Sequence, residues 1–191
     1  MTRLPFPITV CGIGELAGHS RAGVSHVLSI LDPGTPIPAD FGAYAEHERL
    51  ELRFHDIIDE QPGMLCPDRR HIESLLRFIQ GIQQEPRAAS HLLVHCHAGY
   101  SRSTAAAILI LAKARPELAA SELIAQLLRI RPRVWPNLRM IELGDDVLRR
   151  DGELVSATRR LHGILLERDP ELRQLMLDGG RGREVSAALP P

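Results

Sequence analysis

Lysine is almost absent from this chain. Lys113 is the only one, so the 23 basic residues are otherwise arginines, a bias that fits a GC-rich bacterial genome better than a functional need. No charge of one sign prevails either. The 23 basic residues face 24 acidic ones, for a net charge of −1 at pH 7, which excludes the global basic field that draws nucleic acid or a membrane surface. Cysteine is scarce: Cys11, Cys66 and Cys96 make an odd count without metal-ligand spacing, so neither a disulfide framework nor a thiolate metal site is expected. Free thiols suit a reducing compartment. No apolar run reaches the ~18 residues of a membrane span, and Met1 to Pro7 lacks the apolar centre of a secretory leader. A cytoplasmic protein is therefore expected. There is no internal repeat and no low-complexity linker. What remains is 191 residues, 44% of them hydrophobic, enough for one domain with a real core.

The chemistry concentrates in nine residues, His95-Cys96-His97-Ala98-Gly99-Tyr100-Ser101-Arg102-Ser103. An apolar run, His91-Leu92-Leu93-Val94, precedes them, and Thr104 to Ala114, rich in Ala, Ile and Leu, follows. The pattern predicts a buried strand, a tight loop and a helix. Such a loop sits on a helix N-terminus, where unpaired N–H groups and the helix dipole favour an anion. Cys96 supplies a sulfur whose thiolate is the nucleophilic form, and helix N-termini and nearby cations promote that form. Gly99 permits a backbone angle that would strain other residues, so that successive N–H groups from His97, Ala98, Gly99, Tyr100, Ser101 and Arg102 can line an anion-binding nest. Arg102 offers a planar fork that matches two phosphate oxygens. Ser103 can donate a hydrogen bond to the sulfur.

Elsewhere the chain alternates strand and helix patterns. Ile8 to Cys11 is a short apolar strand, Val24 to Leu31 a second one ending at the turn Asp32-Pro33-Gly34. Leu50, Leu52 and Phe54 alternate with polar residues and predict a third. Asp68 caps a helix whose stripe is Ile72, Leu75, Leu76 and Ile79. Helices follow over Thr104 to Ala114 and Ser121 to Ile130. Asn137 is an N-cap for another through Arg150, with Gly152 beyond its end, and Leu154, Leu161, Ile164 and Leu165 mark one more. The expectation is a single α/β domain, residues 1–177, with a central, mostly parallel sheet flanked by helices. Residues 178–191, opening Asp178-Gly179-Gly180-Arg181-Gly182-Arg183, read as a flexible tail. Ligands in such folds bind at the carboxyl ends of strands, where Cys96 falls.

The nine-residue segment resembles the His-Cys-x5-Arg-Ser/Thr signature of the cysteine-based protein tyrosine phosphatases. Its wording is similar to the dual-specificity branch, His-Cys-x-Ala-Gly-x-Ser-Arg-Ser. Arg131-Pro132-Arg133-Val134-Trp135-Pro136-Asn137 resembles that branch's Arg-x-x-x-x-Pro-Asn segment, and the likeness spans roughly Leu50 to Leu148. It implies attack by Cys96 on a phosphomonoester, most readily phosphotyrosine in a phosphoprotein, with no metal or cofactor. It also implies that His95 orders the loop. Other readings stay open: a phosphoinositide or inositol phosphate phosphatase (although the loop carries His97 and Tyr100 and no lysine), a sulfur-transfer domain, which can also carry Cys-x5-Arg, and a non-catalytic phosphate-binding module.

A leaving oxygen must be protonated, and the family uses a carboxylic acid that later serves as base toward water. The candidates lie in His55-Asp56-Ile57-Ile58-Asp59-Glu60. Asp56, at the end of the third strand, is preferred. Asp59 lies nearer the family's usual separation from the cysteine, and Glu60 ranks behind both. Arg129, Arg131 and Arg133 read as cations at a helix C-terminus, with an accessory anion site as the sharper alternative. Cys11 or Cys66 as a redox partner of Cys96 is the less favoured reading of those two thiols.

Overall fold

The computed structural model describes residues 6–84 and 90–190. Its sheet has four strands, β1 (Ile8–Gly12), β2 (His26–Leu31), β3 (Glu48–Arg53) and β4 (Leu92–Cys96), in the order β1-β4-β2-β3. Every pair in it is parallel. The helices are α1 (Arg69–Gln84), α2 (Arg102–Ala114), α3 (Ala120–Ile130), α4 (Leu138–Leu148), α5 (Glu153–Arg168), α6 (Pro170–Asp178) and α7 (Gly182–Ala187).

β4 lies between β1 and β2 and is buried throughout, as a continuous apolar run requires. Its side chains alternate. Leu92, Val94 and Cys96 join the main core, built with α1 to α5, while Leu93 joins a smaller cluster with Cys11, Leu16 and Phe41. That second face is covered by two 3-10 segments, Ile13–His19 and Ala39–Ala43. Cys11 pairs in register with His95, not with Cys96, so the Cys11 and Cys96 side chains leave opposite faces of the sheet. This geometry does not support a redox pair between them.

α2 begins at Arg102, two residues earlier than the apolar pattern alone suggests, because Ser101 O already accepts from Ala105 N (3.0 Å). Asn137 caps α4 by accepting from Met140 N (3.0 Å), and Asp68 caps α1 by accepting from His71 N (3.1 Å). Gly152 does not close α4. Arg149 and Asp151 take the left-handed turn themselves, and Gly152 opens α5. Asp145 explains the tolerance: its carboxylate accepts from Gly152 N (2.7 Å) and Leu154 N (2.8 Å).

Composition reads residues 178–191 as a flexible tail, and the structure differs. The segment turns into α7, and Arg181, Glu184 and Val185 are buried. Val185 packs with Leu172, Met176, Leu166 and Trp135, so apolar contact and a buried ion pair hold a stretch whose glycines and arginines suggest solvent.

Candidate active site

The loop from Cys96 to Arg102 joins the end of β4 to the start of α2 at the carboxyl edge of the sheet. The carbonyls of His97 to Ser101 are all engaged. His97 O accepts from Ile13 N (2.9 Å), and Tyr100 O from Trp135 N (2.8 Å). Gly99 O and Ala98 O accept from the Arg131 guanidinium (3.1 and 3.5 Å). Ser101 O accepts from Thr104 Oγ1 (2.9 Å) as well as from Ala105 N. None of the backbone N–H groups of His97 to Ser101 donates to an acceptor among the described residues. His97 and Tyr100 are half-buried and Ala98 is exposed, beside a cleft that the loop lines. A loop with its carbonyls engaged and its amides unused has the donors that an anion-binding nest requires.

Gly99 makes this turn possible. Its φ is +66°, and a Cβ there would lie 2.3 Å from Cys11 C. Gly12 meets the same contact from β1, where a Cβ would lie 2.8 Å from Ala98 C. Arg131 braces the opposite side, and its Nη1 binds Glu15 Oε1 (2.7 Å), whose partner oxygen accepts from Gly12 N (2.7 Å). The accessory anion site considered for Arg131 is therefore not what the structure shows, since its guanidinium is committed to loop carbonyls and Glu15.

Within the loop, Cys96 Sγ lies 3.2 Å from Ser103 Oγ. Arg102 is buried, and its Nη1 donates to Asp32 Oδ1 and to Phe54 O (both 2.6 Å). Its Nε makes no hydrogen bond among the described residues. His95 is fully buried, with Nε2 2.7 Å from Ser29 Oγ. Burial pushes its pKa down to about 4 against a weaker opposing pull from the Cys96 backbone, so the ring is neutral near pH 7. His97 Nε2 accepts from Asp32 N (3.2 Å).

A cleft of about 300 Å³ opens over the loop, lined by Cys96, Arg102 and Asp56, with Leu175, Met176 and Arg181 forming the far wall. Asp56 Oδ1 accepts from Ser101 Oγ (2.8 Å), Asn137 Nδ2 (2.9 Å) and Arg181 Nη1 (3.0 Å). Its Oδ2 stands 3.8 Å from Arg102 Nε. Asp59 and Glu60 are not among the lining residues. Asp59 pairs with Arg183 (2.8 Å) and Glu60 with Arg139 (3.3 Å), both more than half exposed. Cys66 is also outside the cleft.

The structure thus brings together Cys96, Ser103, Arg102, the loop amides and Asp56. It adds Asp32, Arg181 and Glu184, which sequence reasoning missed, and gives Arg131 a bracing role on the loop carbonyls. Asp32 reads as a turn former beside Pro33 and Gly34, and nothing local marks it as the partner of an arginine 70 positions later.

No family model matches the chain, and no curated protein does. Solved structures do. Human DUSP28 superposes with a TM-score of 0.57 at 18% identity, over 75% of this chain and 92% of its own. PTPMT1, in complex with PI(5)P, gives 0.56 at 15%, over 78% and 94%. Tk-PTP in its active form gives 0.53 at 19%, over 75% and 92%. The fold is that of the dual-specificity and tyrosine phosphatases. At these identities the likeness speaks for the phosphatase fold, and the chemistry has to come from the side chains.

Proposed function

We propose that this chain is a phosphomonoester hydrolase, acting on phosphotyrosine in proteins through a cysteinyl-phosphate intermediate. The observation that carries the reading is the run of unpaired loop amides in one cleft with Cys96 and with Arg102, whose Nε makes no hydrogen bond among the described residues. A phosphate seated there is gripped by donors already in place, which stabilise charge on the transferring group without reorganisation. Cys96 attacks phosphorus in line. Asp56 protonates the departing oxygen through Oδ2, then takes a proton from the water that hydrolyses the intermediate. Ser103 donates to the sulfur as it is released. The loop amides and Arg102 supply the positive field, so the scheme uses no metal. No helix among the described residues is long and apolar enough to cross a membrane.

One comparison favours a second reading. PTPMT1, of the same fold, was solved with PI(5)P, so an inositol phosphate substrate is the alternative. Against it, the two arginines of this cleft are both engaged by carboxylates, Arg102 by Asp32 and Arg181 by Asp56 and Glu184, which leaves little positive charge for further phosphates.

The purified chain, with a chelator present, is expected to turn over an aryl phosphate and a phosphotyrosine peptide, and Cys96→Ser to abolish both. Asp56→Ala, and not Asp59→Ala, is expected to remove the requirement for a protonated group on the alkaline side of the pH profile. Phosphate affinity without turnover in the unaltered chain would establish a binding module instead. A persulfide formed on Cys96 from thiosulfate would establish sulfur transfer.

A further inference from the structure

We infer that Arg181, in the turn between α6 and α7, is a positioning residue for the Asp56 carboxyl, which makes the C-terminal helical pair part of the site. The inference rests on the hydrolase reading above and deepens it.

The Arg181 guanidinium is fixed along one edge. Its Nε donates to Glu184 Oε2 (2.7 Å) and its Nη2 to Glu184 Oε1 (2.8 Å). Glu184 is itself fully buried and accepts from Trp135 Nε1 (2.6 Å) and Leu138 N (2.8 Å). The anchor is therefore tied to the segment that holds Tyr100 O and supplies Asn137. The other edge of the fork reaches the cleft. Nη1 donates to Asp56 Oδ1 (3.0 Å), and Nη2 to Ser101 Oγ (3.1 Å), which donates in turn to Asp56 Oδ1. An arginine that only stapled α7 to the core would be satisfied by Glu184. This one spans from Glu184 to the phosphate loop and the acid.

The consequence is an asymmetric carboxyl. Oδ1 carries three donors, from Ser101, Asn137 and Arg181, while Oδ2, 3.8 Å from Arg102 Nε, accepts no hydrogen bond among the described residues, on a carboxyl that lines the cleft. A proton carried by Asp56 is thereby directed to Oδ2, where a leaving oxygen would sit. General acid catalysis depends on that geometry before it depends on acidity. The charged and titratable groups around Asp56 are Arg102 from α2, Cys96 and His97 from the loop, Asp32 behind Arg102, and Arg181 with Glu184 behind it.

The test compares phenyl phosphate, whose leaving oxygen needs a proton, with 4-nitrophenyl phosphate, whose leaving group departs readily without one. Arg181→Met is expected to lose about tenfold or more in kcat/KM on phenyl phosphate relative to 4-nitrophenyl phosphate. Arg181→Lys restores part of that selectivity, and carries the test alone if the methionine variant does not fold. In an Asp56→Asn background, Arg181→Met adds no further leaving-group selectivity, because the group it positions can no longer give a proton. Equal losses on both substrates, or selectivity that persists in the double variant, would overturn the inference and leave the hydrolase reading standing. Absence of any Cys96-dependent turnover in the unaltered chain would sink both.

Discussion

Replacing Gly99 by alanine tests whether the phosphate loop is held by close backbone contact with β1. Two penalties meet at this residue. Its φ of +66° is a left-handed value that costs a residue with a Cβ about 1–3 kcal/mol. The added methyl would also lie 2.3 Å from Cys11 C, 2.4 Å from Gly12 N and 2.6 Å from Cys11 O, about 1 Å inside ordinary contact. All three atoms are main chain of β1, which is locked to β4 in parallel register and to the loop through Ile13 N and His97 O. The strand has nowhere to yield, so the loop must lift by about the missing ångström. Displacements of that size at reacting groups cost on the order of 100-fold in rate, equivalent to about 2.7 kcal/mol.

Gly99→Ala is therefore expected to lose stability in urea unfolding and to lose about 100-fold in kcat/KM on an aryl phosphate. Two further variants separate the causes. Gly23 has φ +68° with open space around it, so Gly23→Ala keeps the backbone strain and is expected to leave activity intact. Gly12→Ala presses on Ala98 from the other side without a positive φ, and is expected to lower activity with less strain of its own. A Gly99→Ala protein within threefold of normal activity, with no greater loss of stability than Gly23→Ala, would refute the account of the loop.

Two more outcomes follow from the groups that brace the site. His162 is fully buried and stacked on Trp135, with centroids 4.1 Å apart, and burial, with Arg181 nearby, brings its pKa down to about 3. Because the unfolded chain binds a proton on this ring near pH 6.5 and the folded chain does not, its contribution is fully present above that pH and is lost as pH falls toward 3. Unfolding free energy is expected to fall between pH 6.5 and 4, and His162→Phe, which keeps the stack, to lower that slope by up to about 1.4 kcal/mol per pH unit; an unchanged slope would show that the ring is protonated in the folded protein. Arg131→Leu, which frees the carbonyls of Gly99 and Ala98, is expected to weaken inhibition by inorganic phosphate and cut kcat/KM by about tenfold, given about 1.5 kcal/mol for the one well-formed charged hydrogen bond, to Gly99 O. Titration calorimetry with phosphate checks the first part.

The sheet, its parallel sense and the Cys96 loop were legible because their signals are local. Four short apolar strand patterns, the helical stripe of Ile72, Leu75, Leu76 and Ile79, and one nine-residue constellation each state their own structure. What was not legible depends on partners far along the chain. Asp32 looks like a turn residue until β2 and β3 set it beside Arg102. Arg131 looks like a helix-end cation until the loop carbonyls arrive. Arg181 and Glu184 sit in a segment whose glycines and arginines suggest solvent. Their burial becomes tolerable only because Glu184 satisfies an indole N–H, a helix N-terminal amide and a guanidinium together.

Those same distant residues explain why Asp56 and not Asp59 faces the cleft. Both carboxylates lie in one loop, and spacing along the chain does not separate them. The separation comes from donors supplied by other elements. Ser101, Asn137 and Arg181 converge on Asp56, whereas Arg183 and its Glu142 partner hold Asp59 outward. The two arginines that divide the carboxylates are only two positions apart, at the start of α7. The short C-terminal helix therefore sets which acid the cleft receives. Moving that helix by one residue would put Gly180 or Gly182 where Arg181 stands and deprive Asp56 of that donor.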